Sequence, residues 1–284
     1  MRPSAFTKAL ALSGLLGWGL GHADPPAAST VEVGGFMVLN PAITADALPA
    51  ALAEPPWAGV AALSLRDQAR DGAFLRALFA QPALSGVARL DLSGVALGPE
   101  GAQALAAAAL PALRVLYLSD SALGDAGAEA LSKAAFPALE ELRLDQAGVG
   151  ADGGCALAEA DWPALTRLSV AGASDLWERG PKPFLGSRGF AALVSSGARV
   201  GLVELSVPLN AVGSKGARAL AKASQLRSLK IVNLRANDID DAGAGALLDA
   251  PHLAGLERLD LRDNPISEPM KARLQERLGD RVQL

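Results

Sequence analysis

VARLDLSGVALGPEGAQAL, residues 87–105, returns as LRVLYLSDSALGDAGAEAL at 113–131 and LEELRLDQAGVGADGGCAL at 139–157. It returns again as LVELSVPLNAVGSKGARAL at 202–220 and LKIVNLRANDIDDAGAGAL at 229–247. Followed through the chain, one position reads Leu63, Leu90, Leu116, Leu142, Leu168, Leu205, Val232 and Leu259, with steps of 27, 26, 26, 26, 37, 27 and 27 residues. A sustained period of roughly 20–50 residues marks a stack of like units rather than a globule with one closed core. Within each unit the Leu-x-Leu alternation has the period of a short strand, and Gly-x-x-Gly-Ala-x-x-Leu has the spacing of a helix with one small, apolar face. Alone, such a unit leaves both apolar faces wet. Stacked, the strands run parallel and the Leu pairs form a continuous core.

The pattern extends outward in both directions. Phe36-Met37-Val38 lies about one period before Leu63 and predicts a degenerate first turn acting as a cap over 24–56. Met270, Leu274 and Leu278 make one helical stripe, with Lys271, Arg273, Glu276 and Arg277 left to face water, and predict a capping helix at 269–279. Pro111, Pro137 and Pro163 are read as helix terminators.

These motifs resemble the ribonuclease-inhibitor-like subtype of leucine-rich repeat. The resemblance implies a right-handed α/β solenoid of about eight turns over 57–284, with parallel strands on the concave face and helices on the convex face. The family's Asn after the strand stands at Asn210, Asn237 and Asn264, whereas Val95, Ser121 and Ala147 replace it earlier, so an Asn ladder is expected only in the C-terminal third. The ribonuclease-binding role of the inhibitor is not implied.

Residues 1–23 read differently from the rest. Arg2 and Lys8 precede an apolar run from Ala9 to Leu20, and Gly21-His22-Ala23 puts small residues before Asp24, the pattern of a secretory signal cleaved after Ala23. A retained signal anchor is the alternative. A polar stretch from Asp24 to Thr30 follows. Export predicts a secreted or periplasmic protein; a cytoplasmic scaffold is the competing expectation. The single Cys, Cys155, excludes an internal disulfide, so packing alone must hold the stack. With 26 basic and 30 acidic residues, net charge −4, and no long run of like charge, nothing marks a nucleic-acid surface.

Candidate chemistry gives way to the repeat. Gly148-Val149-Gly150-Ala151-Asp152-Gly153 matches the dinucleotide pattern GxGxxG, but Gly150 and Gly153 occupy the places of Gly98 and Gly101, Gly124 and Gly127, and Gly213 and Gly216. The mature chain keeps one His, His252, at a turn. Asp238, Asp240 and Asp241 lack the calcium-loop spacing and suit a helix N-terminus instead. No enzyme, cofactor or metal is expected, and the function class that remains is binding of a protein partner or a structural role in an envelope.

The residues flanking each Leu-x-Leu pair pave the concave face in three columns. The first reads Ala62, Arg89, Val115, Glu141, Arg167, Glu204, Ile231, Arg258. The second reads Ser64, Asp91, Tyr117, Arg143, Ser169, Ser206, Asn233, Asp260, and the third Arg66, Ser93, Ser119, Asp145, Ala171, Pro208, Arg235, Arg262. Glu141, Arg167 and Glu204 are expected to satisfy one another as screened pairs worth roughly 0–1 kcal/mol. Arg235, Arg258 and Arg262, with Asp260 as the only acid near them, and Tyr117, the columns' one aromatic, are candidate contacts for a partner. The step of 37 places ten extra residues after the strand at Leu168, on the rim, in an insertion near 172–188. There Trp177, Arg179 and Phe184 are the remaining candidates, because aromatic and Arg side chains anchor interfaces.

Overall fold

The computed structural model describes residues 30–33, 36–53, 60–172 and 184–284. Eleven strands form one sheet in sequence order: β1 (Thr30–Val33), β2 (Phe36–Leu39), β3 (Ala62–Ser64), β4 (Arg89–Asp91), β5 (Val115–Tyr117), β6 (Glu141–Arg143), β7 (Arg167–Ser169), β8 (Glu204–Ser206), β9 (Ile231–Asn233), β10 (Arg258–Asp260) and β11 (Val282–Gln283). The helices between them are α1 (Leu48–Ala53), α2 (Gly72–Phe79), α3 (Gly98–Ala106), α4 (Gly124–Ser132), α5 (Ala151–Ala158), α6 (Gly186–Ser195), α7 (Gly213–Lys222), α8 (Asp241–Leu248) and α9 (Glu268–Leu278). Only β1 with β2 is antiparallel; every later pair is parallel.

The register follows the repeat. Leu63 pairs with Leu90, Leu90 with Leu116, Leu116 with Leu142, Leu142 with Leu168, Leu168 with Leu205, and Val232 with Leu205 and Leu259. At the N-terminal end Met37, not Phe36, lies opposite Leu63. Both leucines of each Leu-x-Leu are sealed, as Leu90, Leu92, Leu116, Leu118, Leu142 and Leu144 show, because the strands present them to the helices stacked behind.

Helices begin in two ways. Gly98, Gly124, Gly186 and Gly213 are the first residues of their helices and have φ of 58°, 65°, 57° and 62°, a left-handed conformation that a side chain disfavours. Before α8, Asp240 is instead an extended N-cap, its carboxylate accepting from the amides of Ala242 and Gly243. The helices do not end at the prolines: α3, α4 and α5 stop at Ala106, Ser132 and Ala158, and Pro111, Pro137 and Pro163 lie five residues further on, in the turns that lead back to the sheet. What ends each helix is the need to return to the next strand within the repeat.

In the apolar column Leu84, Leu110, Phe136, Trp162, Leu226 and Leu253, one member is charged: Arg199, 1 % exposed. Its guanidinium donates to the carbonyls of Leu157 and Ala160 at the C-terminal end of α5 and lies 5.5 Å from the Trp162 ring centre. Trp162 does the same one turn earlier, donating Nε1 to Ala134 O at 3.2 Å. Bulky residues in this column therefore serve the free carbonyls of the preceding helix end.

The ends of the stack are closed differently. Arg70 donates to the carbonyls of Asn40, Pro41 and Ile43 and ties the first turn to the second. In α9, capped by Ser267, Met270 and Leu274 are buried and Leu278 half-buried. The two-residue β11 after it, which carries no periodic signal, completes the sheet.

Candidate functional site

The alternation that sends Leu142 inward sends its neighbours to the concave face, but there the charges separate by depth. Glu141 is buried, its side chain 9 % exposed, while Arg143 and Arg167 reach over it with side chains 52 % and 43 % exposed. Arg143 Nε donates to Oε1 at 2.7 Å and Arg167 Nε to Oε2 at 2.8 Å. The same layering recurs at Asp260, whose carboxylate takes two hydrogen bonds from Arg262 Nε at 3.0 and 3.2 Å, and at Asp91, 3.7 Å from Arg66. Arg143 also lies 5.0 Å from the Tyr117 ring centre.

Two sequence expectations change here. Glu141 is shared by Arg143 and Arg167, and Glu204 forms no ion pair among the described residues. Asp260 is not the only acid near the C-terminal arginines, since Arg235 pairs with Asp263. Arg258 alone of the three has no ion pair among the described residues. A second aromatic joins the face as well: Phe36, in line with Ala62 and Arg89 through the β2–β3–β4 register, stacks under Arg89 at 4.9 Å. The degenerate first turn was the signal for it, because that turn extends the first column by one strand.

Burial pushes the Glu141 carboxyl up, but the hydrogen bonds and charges of Arg143 and Arg167 outweigh it and hold the group below the usual carboxylate range. Asp260 is lowered in the same way, desolvation being overcome by Arg262 and then Arg235. Glu141→Ala should therefore cost about 1–3 kcal/mol rather than the small cost of a screened pair, since it deletes charge-assisted bonds to a buried acceptor. Both folded-state values are depressed, so this stabilisation is complete above the ordinary carboxylate range and is lost as pH falls below about 4. Urea melts between neutral pH and pH 3 should show a smaller acid-induced loss for Glu141→Gln than for the parent. An equal loss would place the linkage elsewhere.

The rim insertion can be located from its ends. Ser169 to Gly186 spans seventeen positions where Tyr117 to Gly124 spans seven. Up to Gly172 the chain keeps register, with Gly172 N bonded to Pro208 O at 2.9 Å. It is back in register at Leu185 N, bonded to Asn210 Oδ1 at 3.2 Å, and Gly186 N, bonded to Asn210 O at 3.0 Å. A Cβ on Gly172 would fall 1.7 Å from Leu209 O, so the point of departure admits only glycine. Trp177 and Arg179 lie outside the described residues. Phe184 is half-buried at the returning end.

The rejected chemistry has a structural reason. At the GxGxxG segment, Asp125 Oδ1 accepts from Gly150 N at 2.6 Å and Gly153 N at 3.0 Å, so amides a phosphate would need at this helix N-terminus are taken by a carboxylate of the preceding turn. Asp241 accepts from the amide and hydroxyl of Ser267. His252 Nε2 lies 3.1 Å from Leu220 O, and Cys155 is a half-buried free thiol. Among the described residues no group of three or more His, Cys, Asp or Glu could hold a metal ion, and no helix is long and apolar enough to cross a membrane.

A family model described as leucine rich repeat matches residues 110–132 and 225–248. No curated protein matches the chain. Among solved structures it is similar to a Bacteroides fragilis protein, with TM-score 0.51 and 15% identity over 85% of this chain and 72% of that one. A chain from the crystal structure of the Rad7 and Elc1 complex in yeast is similar at TM-score 0.36 and 15% identity, over 78% of this chain and 70% of that one. Leucine-rich repeats serve as protein-protein interaction modules and are typically not enzymes. With the repeat matched in two turns and the strands parallel in unbroken register from β2 to β11, the chain carries leucine-rich repeats and has an α/β solenoid fold.

Proposed function

We propose that this protein is an exported interaction module that binds a protein partner through its concave face and the adjoining rim insertion. The observation that carries this reading is the layered concave face: exposed guanidinium groups held in place over buried carboxylates contribute nothing to the leucine core, and they are already ordered for a partner. The insertion departs from the strand edge next to the central arginines, so one partner can meet both. Export rests on residues 1–23, and sequencing of the mature protein should find Asp24 first; Met1 on soluble cytoplasmic protein would remove that part of the reading.

Site-specific photo-crosslinking tests the surface. A crosslinking residue in place of Tyr117, on the concave face, should give a discrete protein adduct in the producing cells, and one in place of Arg218, on the convex face, should not. Adducts from Arg218 alone would place binding on the helices.

Excision of residues 176–183, which spares Phe184 and the buried Leu185 that bonds to Asn210, tests the rim contribution. Because strand register is already held at Gly172 and recovered through Asn210, thermal unfolding should stay cooperative within a few degrees of the parent, while the Tyr117 adduct should be lost. Collapse of the melt would make the loop part of the core.

A further inference from the structure

Taken as a whole the chain is acidic, with net charge −4, yet its concave columns hold arginine as their only basic residue type. The acids that answer them are sunk: Asp91, Glu141 and Asp260 have side chains 8 %, 9 % and 6 % exposed. Glu204 and Asp145 are half-buried. What a partner meets first is therefore guanidinium. Two of these groups, Arg89 and Arg258, have no ion pair among the described residues, and Arg89 and Arg143 are steadied by the rings of Phe36 and Tyr117.

They fall into three groups across the sheet. Arg89 stands on β4, Arg143 and Arg167 on β6 and β7, and Arg258 and Arg262 on or just after β10. At about 4.8 Å per strand the middle group lies about 12 Å from Arg89 and about 17 Å from the group at β10. An extended chain rises about 3.3 Å per residue, so a segment laid across the strands meets the second group after roughly four residues and the third after roughly five more. Arginine also favours carboxylate recognition by its planar fork of donors.

We propose that the partner presents an extended, carboxylate-rich protein segment that crosses the strands and is read by these three arginine groups. This rests on the concave face being the binding surface. The rival basic patch is convex: Lys215, Arg218 and Lys222 of α7 line an open groove of about 470 Å³ with Ser195 and Gln225. It lacks the aromatic supports and the buried acids that fix the concave guanidiniums.

The test uses the full mature chain and a fluorescent oligoglutamate peptide long enough to reach all three groups, read by anisotropy, with oligolysine and single-stranded oligothymidylate as comparisons. Oligoglutamate should bind and oligolysine should not. Arg89→Ser with Arg258→Ser, chosen because neither residue has a carboxylate to strand, should weaken oligoglutamate binding by roughly tenfold or more. Lys215→Ser, Arg218→Ser and Lys222→Ser together should leave it within twofold. Unchanged binding by the concave pair, loss in the convex triple, or tighter binding of oligothymidylate would each overturn the inference, the last by showing a surface for phosphate. If the Tyr117 crosslink captures a protein but oligoglutamate does not bind, the acidic segment falls and the concave interface stands; if neither occurs, both fall.

Discussion

Leu142→Ala should lower the free energy of unfolding by about 2–5 kcal/mol, the cost of a large-to-small change in a site that cannot collapse around the void. Leu142 is fully buried, with Leu116 on one side and Leu168 on the other in adjacent strands, so the cavity opens in the middle of the leucine column. In a stack where each turn touches only its neighbours, the loss is felt at two interfaces at once and should broaden the transition as well as shift it. Equilibrium urea unfolding of Leu142→Ala beside Glu141→Ala and Arg167→Ala checks this. The order expected is Leu142, then Glu141, then Arg167, which is exposed and gives up one bond. A larger effect from Arg167 than from Leu142 would mean that the inward and outward positions are exchanged.

Asn237→Ala should be as damaging, also about 2–5 kcal/mol, without creating much apolar cavity. The side chain is fully buried and all its polar atoms are used. Oδ1 accepts from Asn210 N at 3.0 Å and Val212 N at 3.2 Å; Nδ2 donates to Val207 O at 2.8 Å and Arg235 O at 3.1 Å. Alanine strands amides and carbonyls of two turns in a dry interior. Asn237→Asp keeps the shape but sets a carboxylate oxygen against the carbonyls of Val207 and Arg235, so it should recover part of the loss only where the acid is protonated, and the same denaturant series at acid and neutral pH reads it. Equal stability of Asn237→Ala and the parent would show that water or local backbone bonds can replace the amide. The early turns illustrate such replacement: Val95 N and Ala147 N bond to Leu92 O and Leu144 O within their own turn. Ser121 manages it incompletely, its buried hydroxyl having no partner among the described residues.

The repeat makes the central fold legible in the sequence. A step of 26 or 27 residues fixes which leucines pair, and the one longer step places the insertion near 172–188, which the register at Gly172 and Leu185 narrows. What stayed hidden was short or aperiodic. β2 registered as a degenerate turn about one period before Leu63, but β1 and β11 lie outside the repeat and carry no periodic signal, and they are specified by closing the sheet rather than by their own pattern. Arg199 was hidden because its place in the repeat is otherwise apolar; only the carbonyls at the end of α5 explain it. On the concave face, alternation correctly sent Glu141 and Asp260 outward but could not tell their depth. Neighbouring side chains on parallel strands lean over a carboxylate and cover it, and that shielding belongs to the assembled sheet.

The asparagine ladder also sets a direction in time. Asn210, Asn237 and Asn264 each bond to the next or preceding turn, and the ladder ends beside α9 and β11, so the C-terminal third carries a side-chain ladder that the earlier turns lack. Folding of a one-dimensional stack starts where neighbouring turns hold each other best and spreads from there. If the ladder is that starting point, a chain delivered N-terminus first emerges with its nucleus still to come. Its last turns should then gain hydrogen-exchange protection before its first, and protection that starts at β3 would reverse that order.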